Sequence, residues 1–143
     1  MRAPPGASAR LIQVKEPAHA LGSTAGRGQP EAGVFKSILV PIDIAQRSSW
    51  EGALPQAIEL ARASGGKVTV ITIVRDVKAM LEGVQFPFQV EMMMSGARDR
   101  LTEIVSGYRA AEAVIEEEVR FGSISREVLA AAKERGADLI LMA

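Results

Sequence analysis

The sequence contains no cysteine. Disulfides, thiol nucleophiles and thiolate metal centres are therefore excluded, and a cytoplasmic location is the default expectation. Aromatic residues make up only 4% of the chain, so a core must be assembled from Ala, Val, Ile, Leu and Met. An excess of one charge sign is also missing, since 17 Lys and Arg balance 17 Asp and Glu. A surface that grips a phosphate backbone needs a clustered basic excess, so a nucleic-acid partner is not expected. No apolar run approaches the roughly 18–20 residues that a membrane-spanning helix requires, and no membrane partner is expected either. The one histidine, His19, has no partner for nucleophilic or metal chemistry and reads as a solvated side chain.

What is present is a chain of 143 residues, 48% hydrophobic and 24% charged, the size and balance of one globular domain. Composition shifts near Val34. Residues 1–33 hold four prolines and five glycines, a small basic excess and no sustained periodicity. Such a segment buries too little apolar surface to offset its ordering entropy, so residues 1–33 are expected to be a disordered N-terminal extension. They lack the apolar stretch of a secretory signal, and Glu16 and Glu31 argue against a transit peptide.

From residue 34 onward, strand and helix patterns alternate. Residues 36–43 (Lys-Ser-Ile-Leu-Val-Pro-Ile-Asp) are apolar on both faces, as a central parallel strand is. Ser48 and Ser49 then offer helix caps, and Trp50, Ala53, Leu54, Ala57, Ile58 and Ala61 follow at helical spacing. Pro55 requires this helix to begin near Gly52 or to kink. Gly65-Gly66 ends it. Residues 68–74 form a β-branched strand, and a connection spans 76–90. A second helix over 91–106 buries Met94, Ala97, Leu101, Ile104 and Val105. Residues 113–121 alternate, with Ile115, Val119 and Phe121 on one face and Glu116, Glu118 and Arg120 on the other, which suits a strand near the sheet edge. Ser125 is the expected cap of a third helix, with Ile124 and Leu129 as a hydrophobic staple and Gly136 as its stop. Residues 137–143 form another buried strand. The order β-α-β-α-β-α-β implies a parallel sheet with right-handed crossovers. A ligand is then expected beyond the strands' carboxyl ends, at the switch in strand order, where Asp43 and Val74 lie.

The run Lys36 to Asp43 resembles the first-strand motif of the universal stress protein family. Ser49-Trp50 with Ala53-Leu54-Pro55 and Leu60-Ala61 resembles the family's first helix, and Lys67 to Val74 its second strand. Val119-Arg120-Phe121-Gly122 with Ile124 to Leu129, and Ala137 to Met142, are similar to later elements. The resemblance covers 35–143. It implies an incomplete three-layer α/β sandwich of the adenine nucleotide alpha hydrolase-like, Rossmann-like class. Family members continue past the last strand here into a glycine-rich phosphate loop, a further helix and a further strand that usually builds the dimer. The expectation is thus a domain shortened at its end, with a sheet edge left open, and an upstream extension before Val34.

The resemblance further implies a non-enzymatic stress response protein holding ATP or another adenine nucleotide, with no metal. Asp43 would bond the ribose or adenine, Pro41, Ile42 and Ile73 would line the adenine, and Met142 would close the floor. Read without the resemblance, Asp43 is a loop carboxylate that caps the first helix. The alternative function is a truncated or degenerate interaction module that no longer binds nucleotide. A third reading, an enzyme of another doubly wound family, lacks an acid–base pair or nucleophile to carry it. Glu116, Glu117 and Glu118 suggest a metal only until strand geometry sends neighbouring side chains to opposite faces. Met92 and Met93 read as helix-start exposure, and Met94 as core filling.

Overall fold

The computed structural model describes residues 10–13, 35–75, 87–109 and 113–143. Its strands are β1 (Arg10–Gln13), β2 (Ser37–Pro41), β3 (Lys67–Arg75), β4 (Val114–Gly122) and β5 (Leu139–Met142), and its helices are α1 (Ala53–Ser64), α2 (Pro87–Ser106) and α3 (Ile124–Glu134). The sheet order is β1-β5-β2-β3-β4. The β2–β3, β3–β4 and β2–β5 pairs are parallel, and β1 runs antiparallel to β5. Helices α1 and α2 cover one face of the sheet, and α3 covers the other. The result is the expected three-layer α/β sandwich, with one strand more than the sequence pattern contained. His19 lies outside the described residues, as does most of the 76–90 connection. Among the described residues, no helix is long and apolar enough to cross a membrane.

The apolar strands feed both cores. Ile38 and Val40 of β2 join Val68 and Val70 of β3, Leu54, Ala57 and Ile58 of α1, and Leu101 and Val105 of α2. Leu39, Ile71 and Ile140 face the opposite way, against Val128, Ala131 and Ala132 of α3. Helix α1 begins at Ala53, so Pro55 falls within the first turn, where its missing N–H has no carbonyl to meet. Gly65 ends the helix in the left-handed conformation, at φ 63°. Gly66 then passes so close to the start of β2 that an added Cβ would lie 2.6 Å from the Phe35 carbonyl oxygen and 2.7 Å from that of Lys36. The Asp138 carboxylate locks the same region, accepting the Lys36 and Ser37 amides at 3.0 and 3.3 Å, while the Asp138 amide bonds the Ser37 carbonyl at 2.9 Å.

The structure departs from the sequence reading at four places. Arg10–Gln13 form a strand inside the segment expected to be disordered, because the apolar flank of β5 supplies the hydrogen-bonding partners that this short run needs. The sheet edge expected to stand open at β5 is therefore covered. Helix α2 starts at Pro87, earlier than expected, with proline at the first helical position where its fixed φ is favourable. The residue that precedes helix α3 is Ser123 and not Ser125, and its hydroxyl makes no capping hydrogen bond; Ile124 and Leu129 stay 47% and 64% exposed, so they make no staple. The serines before α1 do not cap it either: its cap residue is Gly52.

Candidate functional site

Between β5 and β2 the chain's direction of travel across the sheet reverses, and a cleft of about 630 Å³ opens at the strands' carboxyl ends. That volume lies within the range of small-ligand sites. The cleft brings together all five residues proposed from the sequence: Pro41, Ile42, Asp43, Ile73 and Met142. Pro41 and Asp43 come from the end of β2 and the turn after it. Ile73 comes from β3 and Met142 from β5. Strand parity explains the gathering. Parallel strands end at one edge of the sheet, so residues far apart in sequence share one rim.

Asp43 is exposed at this rim. Its Oδ1 accepts the Ala45 amide at 2.9 Å, closing a short turn. It thus caps its own loop and not α1. Ser49 holds the backbone of the same residue: its hydroxyl accepts the Asp43 amide at 2.9 Å and donates to the Asp43 carbonyl at 2.9 Å. The Asp43 carboxylate is positioned by these bonds. Ser49 belongs to a single 3-10 turn, Arg47–Ser49, that leads toward α1. The sequence offered this serine as a helix cap, and the structure uses it as a loop clamp.

The side walls were not read from the sequence. Met93, Gly96 and Ala97 of α2 and Ile124 and Val128 of α3 line the cleft. A usable signal existed in Met93 and Ala97, four residues apart on one helix face. A glycine at position 96, inside a helix, is a second hint, since nothing lies within 4 Å of where its Cβ would be. The walls are mostly apolar, with Asp43, Ser49, Thr72 and Arg75 as polar points.

A second constellation of charge lies away from this cleft, between β4 and α3. Arg135 bonds Glu116 and Glu118 at 2.7 Å each, and Arg120 bonds Glu118, Glu127 and Glu134 at 2.7, 3.0 and 2.9 Å. Burial opposes ionisation of Glu118, but the Arg120 and Arg135 guanidiniums outweigh it and hold its carboxyl below the ordinary glutamate value. Arg135 likewise lowers Glu116, and Arg120 lowers Glu134. Every carboxylate in this ladder already has an arginine, and Glu117 points to the other face, paired with Arg109 at 2.9 Å. Among the described residues no cluster of acidic or histidine side chains is arranged to hold a metal ion. The ladder is a structural tie between β4 and α3.

Comparison with known proteins agrees with this geometry. A profile of the universal stress protein family matches residues 35–143. Universal stress protein G from Shigella flexneri is 30% identical over 113 residues, covering 76% of this chain and 78% of that protein, and the Escherichia coli O157:H7 protein of the same name matches equally. Among solved structures, a universal stress protein family member from Burkholderia pseudomallei superposes with a TM-score of 0.56 at 20% identity, over 76% of this chain and 80% of that one. A universal stress protein in complex with cAMP superposes with a TM-score of 0.52 at 23% identity, over 76% of this chain and 75% of that one. At such identities the two structures speak for the fold. Together with the profile and the sequence relatives, the architecture shows that this chain belongs to the universal stress protein family.

Proposed function

We propose that the cleft binds the adenine and ribose of an adenine nucleotide, and that the protein acts in the stress response as a binder and not as an enzyme. The observation that carries this reading is the gathering of Pro41, Ile42, Asp43, Ile73 and Met142 around one cleft at the switch point. A flat base suits an apolar slot between Pro41, Ile73 and Met142. The Asp43 carboxylate, fixed by Ser49 and its own turn, is an acceptor for ribose hydroxyls or for the adenine amine. The solved relative in complex with cAMP supports the same ligand class. The polar points suit holding more than bond-breaking. The Ser49 hydroxyl is engaged at both ends by the Asp43 backbone, and Asp43 is the one acidic side chain among the described lining residues.

Phosphates are gripped by backbone amides in glycine-rich turns or at helix N-termini. The glycine that lines the described cleft, Gly96, lies inside α2, where its amide serves the helix. Arg75 and the first residue of α3, Ile124, also line the cleft, and affinity is assigned chiefly to the nucleoside end, where the apolar walls and Asp43 stand. Calorimetric titration with ATP, AMP, adenosine and GTP tests this. The adenine compounds are expected to bind within about tenfold of one another, and GTP to bind much more weakly. Asp43→Asn keeps the turn acceptor and removes the charge, and is expected to weaken adenosine binding at least tenfold. No binding of any adenine compound at millimolar concentration would overturn the reading in favour of an interaction module without nucleotide.

A further inference from the structure

The cleft at the strand ends straddles the sheet, and strand alternation decides which of its residues belong to which face. On β2, Val40 and Ile42 join the core under α1 and α2 while Leu39 joins the core under α3, so Pro41 turns toward α3. On β3, Val68 and Val70 face α1 and α2, and Ile71 and Ile73 face α3. On β5, Leu141 faces α1 and α2 and Ile140 faces α3, which puts Met142 on the α3 side. The three side chains assigned to a flat base, Pro41, Ile73 and Met142, therefore share one side of the sheet. The same cleft is lined by Ile42, Thr72, Met93, Gly96 and Ala97, and these lie on the other side, under α2.

This second lobe has a chemistry of its own. None of its five residues carries a charge, and Arg75, two residues after Ile73, falls on the α3 side by the same alternation. Gly96 leaves the wall of α2 bare, with nothing within 4 Å of where its Cβ would be. Met93, one turn earlier, is 44% exposed and borders the open side. The polar point is Thr72, which is only 3% exposed. Its hydroxyl bonds no described residue, and no described buried side-chain oxygen or nitrogen is sealed off without a partner. The hydroxyl therefore opens on the cleft that Thr72 lines. A valine of the same shape would spare the site an unpaired hydroxyl, so the oxygen points to a ligand.

We propose that the α2 side of the cleft is a second binding subsite, for a small uncharged molecule that is apolar over most of its surface and carries one hydroxyl, phenol being the simplest example. The Thr72 hydroxyl, donor and acceptor at once, matches a ligand hydroxyl that is also both. Ile42 and Ala97 flank the apolar body. Small-molecule sites are built in this way, from apolar walls with few polar points. The inference stands apart from the nucleotide reading, because it uses the opposite side of the sheet.

Phenol and toluene are the probes, alike in size and differing in the hydroxyl. Each is titrated into the full chain and followed by the chemical shift of the Ala97 amide. Phenol is expected to bind at least about fivefold more tightly than toluene, the worth of one neutral hydrogen bond. Thr72→Val keeps the shape and removes the hydroxyl, and is expected to erase that advantage while toluene binds as before. Gly96→Leu, at an exposed helical position, fills the lobe and is expected to abolish binding of both probes. No shift at Ala97 with millimolar phenol, a phenol advantage that survives Thr72→Val, or binding that survives Gly96→Leu each overturns the proposal. Should Thr72→Val fail to fold, the phenol-to-toluene ratio and Gly96→Leu decide. Saturating adenosine is expected to leave phenol bound, and displacement of phenol would overturn the second subsite. A chain that binds phenol but not adenosine overturns the nucleotide reading alone.

Discussion

Replacing Gly66 by alanine should be far more damaging than replacing its neighbour Gly65, although Gly65 is the residue with the left-handed backbone. A Cβ on Gly65 meets nothing within 4 Å, so the change there is limited to conformational strain at φ 63°, about 1–2 kcal/mol. A Cβ on Gly66 would lie 2.6 Å from the Phe35 oxygen, 2.7 Å from the Lys36 oxygen and 2.8 Å from the Lys36 Cα. All three are backbone atoms, so no rotamer change relieves the overlap. The start of β2 has to move away from β3. That motion works against the Lys67 amide bond to the Lys36 carbonyl at 2.9 Å and the pairing of Ser37 with Lys67. It also disturbs the Asp138 clamp on the Lys36 and Ser37 amides. Overpacking of a rigid site costs about 3 kcal/mol or somewhat more. Urea unfolding followed by circular dichroism should therefore show Gly66→Ala destabilised by about 1–2 kcal/mol more than Gly65→Ala. In thermal melts the gap should be several degrees, at about 3–4 °C per kcal/mol for a domain of this size. A Gly66→Ala protein as stable as Gly65→Ala would refute the argument from close backbone approach.

Asp138→Ala removes the shared acceptor of two amides and should cost about 2 kcal/mol, with Asp138→Asn intermediate, both read from urea midpoints. For the arginine–glutamate ladder, carboxyls held below 4.5 in the folded state give stabilisation that is complete above about that pH and is lost as pH falls through the folded values. Unfolding measured from pH 7 to pH 3 should show this loss in the unmodified chain and a flatter profile in Arg135→Met, with added salt shrinking the difference. Gly96→Ala fills open space on a helix and should stabilise by about 0.5–1 kcal/mol. If a ligand occupies the cleft wall at α2, the same change should weaken its binding, a split between stability and affinity that paired melts and titrations would show.

The alternation of strands and helices was legible because each signal had one physical source. Residues 38–40 and 139–141 are apolar on both faces, and in the structure they sit between two cores. Val114–Gly122 alternates, and it forms the outermost strand beside β3. Of the proposed cleft residues, the alternation of elements placed Asp43 at the rim, while Pro41, Ile42, Ile73 and Met142 came from the family resemblance; parallel strands deliver all five to one rim. The strand at Arg10–Gln13 was not legible. Nothing in four residues flanked by proline- and glycine-rich sequence demands extension, and the demand comes from β5, far along the chain. The α3 cap was ambiguous because Ser123 and Ser125 both offer a hydroxyl. The helix starts directly after Ser123, which follows Gly122 at φ 142°, and the Ser123 hydroxyl makes no capping bond. The cleft walls from α2 and α3 were missed because periodicity tells which helix face is apolar, and the sheet order decides what that face leans over.

The β1–β5 pairing also bears on how the molecule reaches its folded state. β1 precedes, and β5 follows, every other described element, so their partners lie roughly 130 residues apart, against about 30 for β2 and β3. Closing the longer loop carries about 1.3 kcal/mol more chain entropy than closing the shorter one. During synthesis the β1 segment emerges first and waits longest for its mate. The central strands can assemble while it is still unpaired, so the β1–β5 ladder is expected to form late. A slow phase in refolding that depends on residues 10–13 is the kinetic mark this long-range pairing would leave.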